Sequence, residues 1–128
     1  MKRLSLFFTF SLLLTACNSL SVIDSDVLSK YPELEGPATT WQAMVDSAEA
    51  QDCTAFLDTM RLTLNLTEEV CPDVFAYFEN TPIVDWQRTD WSTTGGKAKI
   101  YEMGGGSITS FIHNEADDSW RSDELFWE

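Results

Sequence analysis

The sequence predicts an α+β fold, with N-terminal helices packed on a curved four-stranded antiparallel sheet. Three observations carry this reading. Apolar residues recur at spacings of three and four between about residues 40 and 79. After Asn80-Thr81-Pro82 the texture changes to short runs of β-branched and aromatic residues cut by turns. The helical signals all precede the strand signals, which segregates the two element types along the chain.

The chain opens on Met1-Lys2-Arg3, then an apolar run from Leu4 to Leu14, then Leu14-Thr15-Ala16-Cys17. A basic start, an apolar run and a small-residue boundary form the pattern of a secretory signal peptide over residues 1–16. An apolar run of this length is too short to cross about 30 Å of hydrocarbon as a stable helix. Leu14-Thr15-Ala16-Cys17 resembles the lipobox of bacterial lipoproteins. The resemblance implies acylation of the Cys17 thiol, cleavage before it, and a mature chain anchored in a membrane by lipid. Asn18 follows where the enterobacterial sorting rule places Asp in lipoproteins of the inner membrane, so the resemblance implies an outer-membrane anchor with the domain in the periplasm. The alternative is an ordinary cleaved signal in which Cys17 is incidental.

Residues 17–38 read as a lipidated N-terminus and tether, small and polar, ending at Pro32, Gly36 and Pro37. Within it Val22, Ile23, Val27 and Leu28 offer a local docking point or a short helical turn. The folded domain is expected over residues 39–128. Thr39 or Thr40 offers an N-cap, and Trp41, Met44, Val45 and Ala48 form an apolar stripe over residues 40–50. Asp52 offers a second cap for a helix over 53–61, which carries Phe56, Leu57 and Met60. Thr67 caps a third helix near 68–79, with Glu68 and Glu69 at the positive end of its dipole. Pro72 fits that helix only in its first turn.

Four runs follow, at 83–91, 97–103, 107–114 and 119–127. Thr93-Thr94-Gly95-Gly96, Gly104-Gly105-Gly106 and Glu115-Ala116-Asp117-Asp118 separate them as turns, which gives an antiparallel meander. Large residues fall on both alternating faces, so one face is expected against helices and the other against a partner, a ligand or the sheet's own curvature.

Removing residues 1–16 leaves about 112 of 128 residues, one small domain. All 21 acids lie beyond Cys17, so the formal charge moves from −13 to about −15, six cations against 21 acids. That acidity argues against a nucleic-acid partner, which requires a basic footprint, and against lying on anionic headgroups. Cys53 and Cys71 remain as an even pair in an exported chain and are expected to form a disulfide. Two buried thiols or a redox pair are the alternatives; the spacing is not Cys-x-x-Cys. With His113 as the one histidine, no metal set is expected, and no cofactor.

The order of elements carries a second resemblance. An amphipathic helix runs into Asp52-Cys53-Thr54-Ala55-Phe56-Leu57, and the last strand carries Asp118-Ser119-Trp120-Arg121-Ser122-Asp123. Over about residues 39–128 this resembles small exported members of the superfamily of nuclear transport factor two, ketosteroid isomerase and SnoaL-like proteins. The resemblance implies a sheet wrapped into a cone whose open end is a pocket or a dimer surface. Asp85, Trp86, Tyr101, Phe111 and Trp120 are the candidate pocket residues. No residue matches the isomerase catalytic set, an Asp base with Tyr and protonated Asp partners, so no catalytic residue is assigned. Asp85 and Asp90 are by default solvent-facing strand residues.

The functional expectation is an envelope lipoprotein that displays a small non-catalytic binding or interaction domain, taking a protein or an apolar ligand. An isomerase or hydratase-like enzyme is the first alternative. An inhibitor of a basic cell-wall lytic enzyme, suggested by acidity and tethering, is the second.

Overall fold

A computed structural model describes residues 20–80, 90–94, 96–101 and 107–128. Residues 1–19 with Cys17, the run 83–89 with Asp85 and Trp86, and Gly104-Gly105-Gly106 lie outside the described residues.

The architecture is α+β, with helices first and a four-stranded antiparallel sheet after them. Asp24 opens the short helix α1 (Ser25–Lys30), its Oδ1 accepting a hydrogen bond from the Asp26 N–H at 2.9 Å. A 3-10 turn over Pro32–Leu34 then feeds directly into α2 (Glu35–Glu49). The helix thus starts ahead of Thr39 and Thr40, which are not its caps. Their hydroxyls donate back to the Glu35 carbonyl at 2.7 Å and the Gly36 carbonyl at 3.3 Å, inside the helix. Gly36 and Pro37 read as breakers but occupy the first turn, where backbone N–H groups have no intrahelical acceptor and a proline removes nothing.

Asp52 does cap α3 (Cys53–Leu57), its Oδ1 accepting from the Ala55 N–H at 3.1 Å. This helix stops at Leu57, short of residue 61, because the chain turns to lie beside the sheet. The Arg61 N–H donates to the Ser122 carbonyl and the Ser122 N–H to the Thr59 carbonyl, both at 2.9 Å. The resulting parallel bridge joins Met60 to Ser122. A 3-10 turn at Glu68–Val70 precedes α4 (Cys71–Asn80), and Thr67 makes no side-chain cap hydrogen bond there. Pro72 sits in the first turn of α4, where proline is tolerated. Cys53 and Cys71 form a disulfide with a Cα–Cα distance of 5.8 Å, which ties the start of α3 to the start of α4.

The sheet runs β1 (Asp90–Thr94), β2 (Lys97–Tyr101), β3 (Ser107–Asn114) and β4 (Ser119–Ser122) in that spatial order. Thr93 and Thr94 pair with Ala98 and Lys97, so they belong to β1 and not to the turn. Branching at Cβ suits a pleated strand. Past β1, Gly96 takes φ +74°, a left-handed conformation open to glycine. The fourth run leaves the sheet at Ser122. Freed from strand alternation, the adjacent Phe126 and Trp127 both turn into the core.

The core lies between α2, α3, α4 and the inner face of the sheet. Trp41 is fully buried at its centre, with ring centroids 6.2 Å from Phe111, 5.9 Å from Phe78 and 5.5 Å from Phe126. Phe56 meets Trp127 at 5.7 Å, and Phe111 stacks on Trp91 at 6.0 Å. Edge-to-face pairs at these distances each add about 0.5–1.5 kcal/mol beyond the apolar area they bury. The N-terminal segment joins the same core, through Val22 at 1% exposure and Ile23 at 6%.

Candidate functional site

Pairing places Ser92 opposite Lys99 and Thr94 opposite Lys97. Successive side chains on a strand point to opposite faces, so these four, with Tyr101, share the outer face of the β1–β2 hairpin. Ala98 and Ile100 take the inner face and are fully buried. Ser92, Thr94, Lys97 and Lys99 are exposed and Tyr101 is half-buried. Together they line a shallow depression of about 330 Å³. Neither lysine forms an ion pair with a described residue, although the chain carries a formal charge of −13. The described part of this face is therefore polar and locally basic, where an apolar second face was expected.

A second depression, about 510 Å³, lies between Arg61-Leu62-Thr63 and the β3–β4 turn. Leu62 is 75% exposed there. Its two arginines and its histidine already have acidic partners. Arg61 Nη1 donates to Asp123 Oδ1 at 2.8 Å, and His113 Nε2 lies 2.7 Å from Asp118 Oδ1. Arg121 Nη2 is 3.8 Å from Asp117 Oδ2. The Ser119 hydroxyl and the Ser119 backbone N–H both donate to Asp117, which holds that carboxyl below its usual range, with Arg121 adding to the effect. The turn is thus closed upon itself by its own hydrogen bonds.

Of the residues expected to line a pocket, the three described ones, Tyr101, Phe111 and Trp120, are not brought together. Phe111 is at 0% exposure, clamped between Trp41 and Trp91 inside the core. Trp120 lies against the start of α2, where the Thr40 hydroxyl donates to its carbonyl at 2.8 Å. It covers Gly36 so closely that a Cβ there would overlap the indole. Tyr101 stands on the outer face of β2, away from both. Asp85 and Trp86 lie outside the described residues. Among the described residues the buried polar side chains of Ser, Thr and charged type are the hydroxyls of Ser47, Thr59, Thr109, Ser110 and Ser122, and no group of acids, cysteines and histidine gathers as a metal site.

Lys97 and Lys99 were not singled out from the sequence. The signal was present in Lys97-Ala98-Lys99-Ile100-Tyr101, a strict polar–apolar alternation with the scarce charge on one face. Comparison with protein-family models, with curated proteins and with solved structures finds no match to this chain.

Proposed function

We propose that this chain is a lipid-anchored envelope protein whose folded body is a non-catalytic interaction module. The lipobox-like Leu14-Thr15-Ala16-Cys17 supports the anchor and the export that precedes it. Export into an oxidising compartment agrees with the Cys53–Cys71 disulfide. Asn18 after the cysteine supports delivery to the outer membrane with the body in the periplasm.

One observation carries the interaction reading: the two faces of the β1–β2 hairpin are unequal in use. The inner face is filled by aromatic packing around Phe111 and Trp41. The outer face presents Lys97 and Lys99 with Ser92, Thr94 and Tyr101 on a strongly acidic molecule. Steering by such a patch favours an envelope protein with a complementary acidic surface.

Two measurements test this. Replacement Cys17→Ser abolishes palmitate labelling and moves the protein out of the membrane fraction; unchanged labelling and fractionation refute the anchor. Affinity capture of the lipidated protein from its own envelope yields a specific partner protein, and the Lys97→Glu, Lys99→Glu variant loses it. An apolar small molecule recovered with no protein refutes the interaction reading in favour of a carrier or enzyme.

A further inference from the structure

The register pairs Thr94 with Lys97, Lys97 with Ile112, and Ile112 with Arg121. Directly paired residues of an antiparallel sheet project to the same face. These four side chains therefore form one row across all four strands, on the outer face that also carries Lys99. Their chain neighbours Phe111 and Trp120 take the inner face, against Trp41 and Gly36 of α2.

The row joins the two depressions. Lys97 lines the first, and Ile112 and Arg121 line the second. Five lysines and arginines fall among the described residues, and four of them, Arg61, Lys97, Lys99 and Arg121, line these two depressions. A chain of formal charge −13 thus gathers its described cations on one surface.

Those cations are not equally engaged. Arg61 donates to Asp123 at 2.8 Å and is neutralised there. Arg121 lies 3.8 Å from the Asp117 carboxylate, too far for a direct hydrogen bond, and its Nε is 3.5 Å from the Ser119 hydroxyl. A guanidinium presents its N–H donors as a fork that matches a carboxylate, and Arg121 meets its own acid only loosely. Apolar surface lies beside it. Leu62 is 75% exposed, and Ile112 is half-buried in the same depression of about 510 Å³. A lone exposed leucine is ordinary. This one adjoins Ile112, which stands between Lys97 and Arg121 in the row. Glu115 lines the turn end of the depression, so an incoming carboxylate is favoured on the Arg121 side.

Resting on the reading of this face as an interaction surface, we propose that the partner protein docks through a short acidic segment laid across the strands. Its carboxylates meet Lys97, Lys99 and Arg121, and an apolar side chain between them enters the depression beside Leu62 and Ile112. Neighbouring strands lie about 4.8 Å apart, which sets Lys97 and Arg121 about 10 Å from each other along the row. The segment must therefore offer carboxylates about that far apart, with the apolar group in the middle. A long polyanion or a broad acidic surface would meet the protein's own 21 acids, and a polyanion offers nothing to Leu62 and Ile112. Charges are screened over about 8 Å at physiological salt, so a segment confined to the row feels its cations more than the acids beyond them.

Photo-crosslinking of the full-length protein in its own envelope tests this. The crosslinker p-benzoylphenylalanine replaces Leu62, or Ser92 on the outer face of β1, or Ala43 on α2 as a control; all three positions are exposed. Positions 62 and 92 are expected to join the same envelope protein and position 43 to join none. Mass spectrometry is expected to place both links in one segment that carries Asp or Glu on either side of an apolar residue. Arg121→Gln is expected to lower capture of that protein about fivefold or more with an unchanged melting temperature. A link from position 92 with none from position 62, a linked segment without acids, or capture unaffected by Arg121→Gln overturns the row and leaves the interaction reading standing. Links from position 62 to lipid or to a second copy of this chain overturn the proposed partner. No protein linked at either position overturns the interaction reading and the row with it.

Discussion

The two faces of β2 separate what holds this molecule together from what it is free to show. Ala98 and Ile100 point one way and are completely buried; Lys97 and Lys99 point the other and are exposed. The inner face shares a core with Trp41, Phe111, Trp91 and Val74, so each residue there is fixed by its neighbours' shapes. On the outer face no described residue pairs with either lysine. A side chain whose neighbours do not constrain it is open to selection by something outside the fold. Stability should therefore respond strongly to the inner face and weakly to the outer one.

The largest effect is expected at Trp41, which touches the sheet, α4 and the C-terminal segment at once through Phe111, Phe78 and Phe126. Trp41→Ala should cost about 3–5 kcal/mol in denaturant unfolding, a large share of the roughly 5–15 kcal/mol that stabilises an ordinary domain. A loss below about 1 kcal/mol would show that the aromatic cluster is not the centre of the core. Next comes the disulfide, which closes a sequence separation of 18 residues. Replacing both Cys53 and Cys71 by Ala should cost about 3 kcal/mol, chiefly by loosening the unfolded chain. Addition of reductant to the unaltered protein should give the same loss, and the double variant should then be indifferent to it.

A smaller effect is expected where α2 meets β4. Gly36→Ala places a methyl group into the Trp120 indole, and overpacking of this kind costs about 1–3 kcal/mol. The cost belongs to the pair, so it should largely vanish in a Trp120→Ala background. Equal costs in both backgrounds would mean that the helical position, and not the indole, requires glycine.

Local chemistry was legible in the sequence wherever one residue acts on its immediate neighbours. Asp52 announced its cap, and the α2 stripe of Trp41, Met44, Val45 and Ala48 announced its buried side. The element order gave the α+β class. Legibility failed where a distant partner decides. Gly36 reads as a breaker until Trp120, far along the chain, explains why no side chain fits. Thr39 and Thr40 read as caps because nothing local shows that Pro32–Leu34 forms a turn continuous with α2. Leu125, Phe126 and Trp127 read as strand because alternation is assumed to persist, whereas β4 ends at Ser122, whose backbone bonds to Thr59 and Arg61. The same holds for the described members of the candidate pocket. Parity assigned faces, but only the packed fold shows that Phe111 is core and Trp120 is a helix contact. The lysine face was readable from alternation alone, and scarcity of cations was the cue that was passed over.

The smallest expected effect is the most informative about the comparison. Lys97→Gln with Lys99→Gln removes two exposed cations and leaves every buried contact of β2 in place. Surface substitutions of this kind usually fall within about 0.5 kcal/mol of neutral. The variant also raises the net negative charge, and the added repulsion is screened over about 8 Å at physiological salt. Unfolding in that salt should therefore be unchanged, while at low salt a slight loss is expected. A loss above about 1 kcal/mol at physiological salt would mean that both lysines are held by the body of the protein, and the outer face would then belong to the fold. If stability holds while partner capture from the envelope is lost, the same two side chains are shown to act on something beyond the fold, which is the distinction that the two faces of β2 draw.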